Sequence, residues 1–161
     1  MIPIREVELR DRAAIVDIIR RTDNLTEEER DCAVELLDIY LKDPSEDDYL
    51  FLAAVEEGLV GELPVGYVCY GAASLSDGAY DLYWILVDPA HRGKGVGGGL
   101  LTRTEEMVSA EGGRMLMAET SSLPAYEEAR GFYLKNGFRE EARIKGFFKP
   151  GDDKLIYVKD L

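Results

Sequence analysis

Ile85-Leu86-Val87-Asp88-Pro89-Ala90-His91-Arg92-Gly93-Lys94-Gly95-Val96-Gly97-Gly98-Gly99-Leu100-Leu101 is the most informative stretch of this 161-residue chain. An apolar strand runs into a loop with five glycines between positions 93 and 99, and a helix starts among them. Glycine admits positive φ and lets the backbone approach a ligand closely. A helix N-terminus presents unpaired N–H groups and a partial positive charge. Together these make an anion site of the size of a pyrophosphate, to which Arg92 and Lys94 add charge-assisted contacts.

Two phosphate-binding motifs compete for this loop. No Gly-x-x-x-x-Gly-Lys-Ser/Thr is present, which excludes a P-loop. Gly93, Gly95 and Gly98 do match Gly-x-Gly-x-x-Gly. The loop, however, follows a late strand and not the first strand of a parallel βαβ unit, so the context opposes a nicotinamide-dependent oxidoreductase.

Outward from the loop, the preceding segments read as three strands at 49–56, 63–73 and 79–87, joined by short Gly- and Asp-containing turns, hence an antiparallel meander. Before them come a strand at 2–8 and a helix at 9–22 that carries Ala13, Ala14, Ile15, Ile18 and Ile19 at helical spacing. A second helix is N-capped by Thr26, with Glu29 completing a capping box, and ends before Pro44. Its apolar face is Ala33, Leu36, Leu37, Tyr40 and Leu41. After the loop, a helix through about Ala110 leads to a strand at 115–120, which should lie parallel to 79–87 with a right-handed connection. A helix at 124–135 ends at Asn136-Gly137. Strands at 138–147 and 154–158 close the chain around a turn at 150–153. The expected fold is one α/β domain over residues 1–161 on a mixed sheet.

Composition sets the partner classes. Hydrophobic residues are 46 % and charged residues 32 %, a globular balance. The net charge is −13, and residues 1–60 contribute −10 of it. Nucleic acid and acidic membrane surfaces are therefore disfavoured, whereas a cationic amine would be attracted. No apolar run approaches a membrane span and the N-terminus lacks a secretory pattern. Cys32 and Cys69 read as two buried thiols in a reducing cytoplasm. His91, the one histidine, sits on a turn and reads as solvent-exposed; with scattered acids it offers no metal cluster. Tyr80, Tyr83 and Trp84 read as core or cleft wall, with an ammonium cage as the rival.

A second block carries recognition. Arg92-Gly93-Lys94-Gly95-Val96-Gly97 fits the Gln/Arg-x-x-Gly-x-Gly/Ala signature of the GCN5-related N-acetyltransferases. Ala129-Arg130-Gly131-Phe132-Tyr133-Leu134-Lys135-Asn136-Gly137-Phe138 resembles that family's Ala-Arg-x-Phe-Tyr-x-x-x-Gly-Phe. The two blocks occur in the family's order, with a strand and a helix between them. The resemblance is strongest over 79–138 and weak in the N-terminal helices.

The resemblance implies a sheet of about seven strands with helices on both faces and a central parallel pair, 79–87 and 115–120, that splays into a V-shaped cleft for acetyl-CoA. Backbone groups of Leu86 and Val87 would pair with the pantetheine arm. The N–H groups of Gly93, Lys94, Gly95, Val96 and Gly97 would hold the pyrophosphate, with Arg92 beside it. Tyr133 would protonate the leaving thiolate; a phenol with a pKa of about 10 is protonated at neutral pH. A carboxylate would deprotonate the attacking amine, and both Asp81 and Glu119 stand at suitable places. Asp81 shares a strand face with Tyr83, Ile85 and Val87 if the strand is regular. No covalent enzyme intermediate is needed. The chain departs from the pattern at Tyr126, where many members carry an asparagine that touches the cofactor. Ser122 or Ser121 is then expected to replace that contact, or Tyr126 to line the acceptor pocket.

The function implied is acetyl transfer from acetyl-CoA to a primary amine, with no metal. A small-molecule acceptor is expected because the length leaves no separate docking domain, and Tyr40 and the acidic loop 43–48 lie on the expected acceptor side. A protein N-terminus or lysine is the alternative acceptor, and a CoA-binding sensor without turnover the alternative class. A homodimer through the terminal strands is open.

Overall fold

The computed structural model describes residues 1–161. Seven strands form one sheet in the order β1-β2-β3-β4-β5-β7-β6. β1 (Ile4–Glu6) pairs with β2 (Leu50–Gly58), and β3 (Gly61–Ala72) and β4 (Ala79–Val87) continue the antiparallel meander. α3 (Val96–Ala110) then crosses to β5 (Met115–Ser121), which runs parallel to β4. β6 (Arg139–Lys149) and β7 (Asp152–Asp160) form a hairpin, and β7 inserts between β5 and β6.

The helices divide between the two faces. α1 (Arg12–Arg21) and α2 (Glu27–Lys42) cover one face. Ile15, Ile19, Ala33 and Leu37 pack there against Phe51, Ala53, Val55, Tyr67 and Cys69. Fully burying each such aliphatic side chain contributes roughly 1.5–3 kcal/mol. α3 and α4 (Glu127–Lys135) cover the other face, where Leu100, Leu101, Val108 and Tyr133 meet Val68, Leu82, Leu116, Ala118 and Tyr157.

The predicted elements recur, with three local differences. The first helix opens as a 3-10 turn at Leu9–Asp11, because the buried Asp11 accepts the Glu8 N–H at 2.8 Å and a bidentate pair from Arg5 at 2.7 and 3.0 Å. Thr26 caps α2 by accepting from the Glu29 N–H at 3.1 Å, but the capping box is not closed: the Glu29 carboxylate is taken by the Tyr126 hydroxyl. The last hairpin turns more tightly than expected, at residues 150–151.

β4 is not a regular strand. Cys69 of β3 faces Trp84, whereas Tyr70 faces Leu82, so Tyr83 is an extra residue in the ladder. Such a bulge shifts side-chain alternation and bends the strand. Tyr80, Leu82, Ile85 and Val87 all meet the α3/α4 core, while Trp84 and Leu86 meet the α1/α2 core. Asp81 therefore lies on the α1/α2 face, opposite to Ile85 and Val87, and the expectation of one shared face is corrected.

Candidate active site

A fork opens in the middle of the sheet. β4 and β5 pair at only three positions, Ala79 with Met115, Tyr80 with Leu116 and Asp81 with Met117. Beyond Asp81, β4 pairs only with β3; beyond Met117, β5 pairs only with β7. Leu86 and Val87 stand opposite Tyr67 and Gly66 on their β3 side and border the fork on the other.

The glycine loop sits at the mouth of this fork. Asp88 caps a 3-10 turn by accepting from the Ala90 N–H at 2.9 Å, and Arg21 of α1 clamps Asp88 at 2.7 Å. The chain then turns through Gly93 at φ 74° and Gly95 at φ 81°, the latter the N-cap of α3. Both point their Cα hydrogens into open space. None of the backbone N–H groups from residue 92 to residue 98 donates to a protein acceptor. A run of free donors at a helix N-terminus is a preformed anion cradle. At Gly97 a Cβ would lie 3.2 Å from the Phe132 ring, so this glycine lets α3 approach α4. Arg92, Gly93, Lys94, Gly95, Val96 and Gly97 are thus brought together at one end of the fork.

Tyr133 and Asp81 lie on opposite faces of the sheet. Tyr133 lies on the α3/α4 side, its ring 5.3 Å from Phe138 and 5.7 Å from Tyr157. The residue is 8 % exposed, and burial pushes its phenol up to about 12, so it stays protonated. Its hydroxyl is not among the enclosed, unpaired polar atoms and has no protein acceptor, so it borders open space.

Asp81 approaches from the α1/α2 side, at the last paired position before the fork. Burial raises its carboxyl above the ordinary value, the Glu119 charge raises it further, and the Tyr83 hydroxyl opposes both. Tyr83 is itself pushed up to about 12, by burial and then by Asp81, and its ring meets Tyr49 edge-on at 5.3 Å. Asp81 pairs across the ladder with Gly71, where a side chain would collide with the Asp48 carbonyl. That missing side chain lets the end of the acidic 43–48 loop lie beside Asp81. Tyr40, by contrast, is buried under α2 and donates to the Val7 carbonyl at 3.0 Å.

Glu119 sits two residues beyond Met117 on β5 and is 53 % exposed. Lys154 of β7 holds it at 2.8 Å. Of the two acids, Asp81 alone is without a cationic partner.

The other residues singled out in the sequence make contacts within the protein. Ser122 is tied to β7: its hydroxyl accepts from the Asp153 N–H at 2.8 Å and its N–H donates to Asp153 at 3.0 Å. Ser121 donates to the buried Asp152. Tyr126 reaches across to α2 and donates to Glu29. His91 is half-buried, its Nε2 2.9 Å from Glu56, which corrects the reading of an exposed ring. Tyr80 and Trp84 pack against the two cores and form no cage. Arg130, to which the sequence assigns no role, donates to the Ser121 and Leu123 carbonyls at 2.8 Å and fixes the end of β5. No group of three or more His, Cys, Asp or Glu side chains is placed to hold a metal. No helix is long and apolar enough to cross a membrane.

Comparison with known proteins agrees with this geometry. The family model described as an acetyltransferase (GNAT) domain matches residues 46–140. A solved structure from Desulfovibrio desulfuricans, assigned to the GNAT acetyltransferases, is 37 % identical, with 99 % of each chain covered and a TM-score of 0.90. The paia N-acetyltransferase of Thermoplasma acidophilum, solved with coenzyme A, is 20 % identical over 100 % of this chain and 99 % of that one, with a TM-score of 0.78. The ribosomal-protein-S18-alanine N-acetyltransferase of Escherichia coli is 18 % identical over 99 % of this chain and 94 % of that one, with a TM-score of 0.74. The last two show likeness of fold. No curated protein matches by sequence. The chain belongs to the GNAT family of N-acetyltransferases.

Proposed function

We propose that residues 1–161 form one acetyltransferase domain that moves an acetyl group from acetyl-CoA to the primary amine of a small cationic molecule. The observation that carries this reading is the fork itself, with free N–H donors at its mouth and groups of opposite duty on its two faces. The N–H groups of residues 92–98, with Arg92 and Lys94, hold the pyrophosphate. The fork edges of Leu86 and Val87 receive the pantetheine arm, and the thioester reaches the apex near Asp81.

From the α1/α2 face, Asp81 takes a proton from the incoming ammonium. Its raised carboxyl brings it closer to the pKa of a working base. A β4 N–H meets the charge that develops on the thioester oxygen. From the α3/α4 face, Tyr133 donates its proton to the departing sulfur. Glu119 is left as an electrostatic neighbour, because Lys154 already holds it.

The acceptor class follows from where the charge lies. The acidic residues are concentrated in the first third of the chain, and the 43–48 loop ends beside Asp81. A cationic acceptor is drawn to that face. Cys69 is buried as expected, Cys32 is exposed contrary to expectation, and both thiols are free, which fits a reducing cytoplasm.

The test is release of CoA thiol from acetyl-CoA with amino acids, polyamines, aminoglycosides and short peptides, for the parent and Tyr133→Phe. Release with a small cationic amine, lost in the variant, supports the reading. Release only with peptides would move the acceptor to proteins. Silence throughout, with acetyl-CoA still raising the melting temperature, would leave a CoA-binding module.

A further inference from the structure

Lys154 already occupies the kind of place an acceptor amine must reach. Its ammonium lies 2.8 Å from the Glu119 carboxylate, with 16 % of the side chain exposed. The Phe147 ring covers it at 4.3 Å from the centroid. A carboxylate on one side and an aromatic face on the other is a site for a primary ammonium. The hairpin is shaped to build it. The β6–β7 ladder breaks between Ile144 and Lys149. Asp153 accepts from the Gly146 N–H at 2.8 Å and from Arg143 at 2.6 Å, which turns residues 145–148 out of the ladder.

This ammonium also stands beside the fork. Glu119 is two residues past Met117, the last β5 residue paired with β4, and its charge reaches Asp81. Lys154 itself hangs opposite Ser121, two residues further along β5, and leans back along the strand to reach the Glu119 carboxylate. The flexible four-carbon lysine stem lets Nζ leave Glu119 and enter the opening. Other lysines are placed differently: Lys159 is committed to Glu105 of α3 on the opposite face, and Lys94 sits on the glycine loop at the outer end.

We propose that Lys154 is a self-acetylation site, modified by the fork of its own chain. The proposal rests on acetyl-CoA being the donor. Glu119, 2.8 Å from Nζ, takes one proton from it; the nitrogen lone pair forms a bond to the acetyl carbonyl carbon; the carbon–sulfur bond breaks; and the nitrogen gives a second proton to solvent as the amide forms. The sulfur leaves with its electron pair and takes the Tyr133 proton, and the Tyr133 phenolate regains a proton from solvent. The products are Nε-acetyl-lysine and the free CoA thiol. Acetyl-lysine carries no charge, so Glu119 loses its partner and becomes free to bind the ammonium of an external acceptor.

The experiment incubates the full chain with acetyl-CoA and no acceptor, and follows intact mass with peptide mapping. The expected result is one acetyl group on Lys154. It should form at a first-order rate that does not change with protein concentration, because the reacting groups are held in one molecule. Tyr133→Phe should slow it about tenfold or more, and Lys154→Arg should bind acetyl-CoA yet carry no label at that position. The proposal is overturned if the parent binds acetyl-CoA and releases thiol to amines while Lys154 stays unmodified. It is equally overturned if label spreads over Lys94, Lys145 and Lys149 alike in parent and Tyr133→Phe, or if the rate scales with protein concentration. Failure of acetyl-CoA to bind by calorimetry would instead remove the donor reading, and this proposal with it.

Discussion

Gly95→Ala separates the chemistry of the loop from its contribution to folding. Gly95 has φ 81° and nothing within 4 Å of where a Cβ would stand. The methyl group therefore meets no neighbour, and the cost is conformational. An L-residue in the left-handed region costs about 1–2 kcal/mol. For a chain of this size that lowers Tm by roughly 2–8 °C, at about 2–4 °C per kcal/mol. Any relaxation of φ toward negative values turns the N–H groups of residues 95 and 96 away from the cradle. Each hydrogen bond to a charged acceptor contributes about 1.5–3 kcal/mol, so losing one or two weakens CoA binding roughly 10- to 100-fold or more. Gly98→Ala is the control. Gly98 is helical, and its nearest neighbour to an added Cβ is Asn136 Oδ1 at 4.0 Å. Alanine there should hold CoA as the parent does and stabilise α3 by about 0.5–1 kcal/mol. Calorimetric titration with CoA, paired with thermal melts, reads both quantities. Parent-like affinity in Gly95→Ala, or an equal loss in Gly98→Ala, would refute the cradle.

Four further outcomes are expected. Asp81→Asn should lower kcat/KM by about 100-fold or more and yet raise the melting temperature at neutral pH, because it removes a carboxylate whose ionised form is disfavoured by burial and by Glu119; a fall in both would assign Asp81 to the fold. In the parent, kcat/KM should fall as pH drops through the raised Asp81 value, and Glu119→Gln should move that limb to lower pH by removing the second cause of the rise; an unmoved limb would remove Asp81 as the base. Tyr133→Phe should cut kcat with Tm unchanged, since the hydroxyl makes no protein hydrogen bond that unfolding would break. Asp11→Ala should destabilise by about 3 kcal/mol, because Arg5 loses its bidentate partner at a residue 1 % exposed. Burial raises the Asp11 carboxyl, but the Arg5 pair and the Glu8 N–H outweigh it and hold the carboxyl low. Its stabilisation is therefore complete above the unfolded value of about 4 and lost as pH falls further, which acid melts of parent and variant would resolve.

What was legible in the sequence was local chemistry. The loop at 92–98 could be read because glycine, a helix start and a preceding apolar strand are adjacent in the chain. The parallel pair followed from the helix between its strands, and the family's second block placed Tyr133. What was not legible depended on partners distant in sequence. Nothing near Glu29 says that its carboxylate leaves its own helix cap for Tyr126, 97 positions later. Nothing near Glu119 announces Lys154, a pairing created by the insertion of β7 beside β5. The bulge at Tyr83 was hidden because Tyr80 to Val87 is apolar or aromatic on both faces apart from Asp81, so alternation carries no signal there. That one extra residue sets Asp81 on the face opposite to Tyr133. In the proposed mechanism the base and the acid therefore act from opposite faces.

The most direct test of the account is a titration of the isotopically labelled chain with CoA, followed by backbone amide resonances. The account predicts that the largest shifts fall on the N–H groups of residues 92–98, with smaller ones at Leu86 and Val87 on the edge of the fork. Saturating shifts confined to other parts of the chain, with residues 92–98 unmoved, would contradict it.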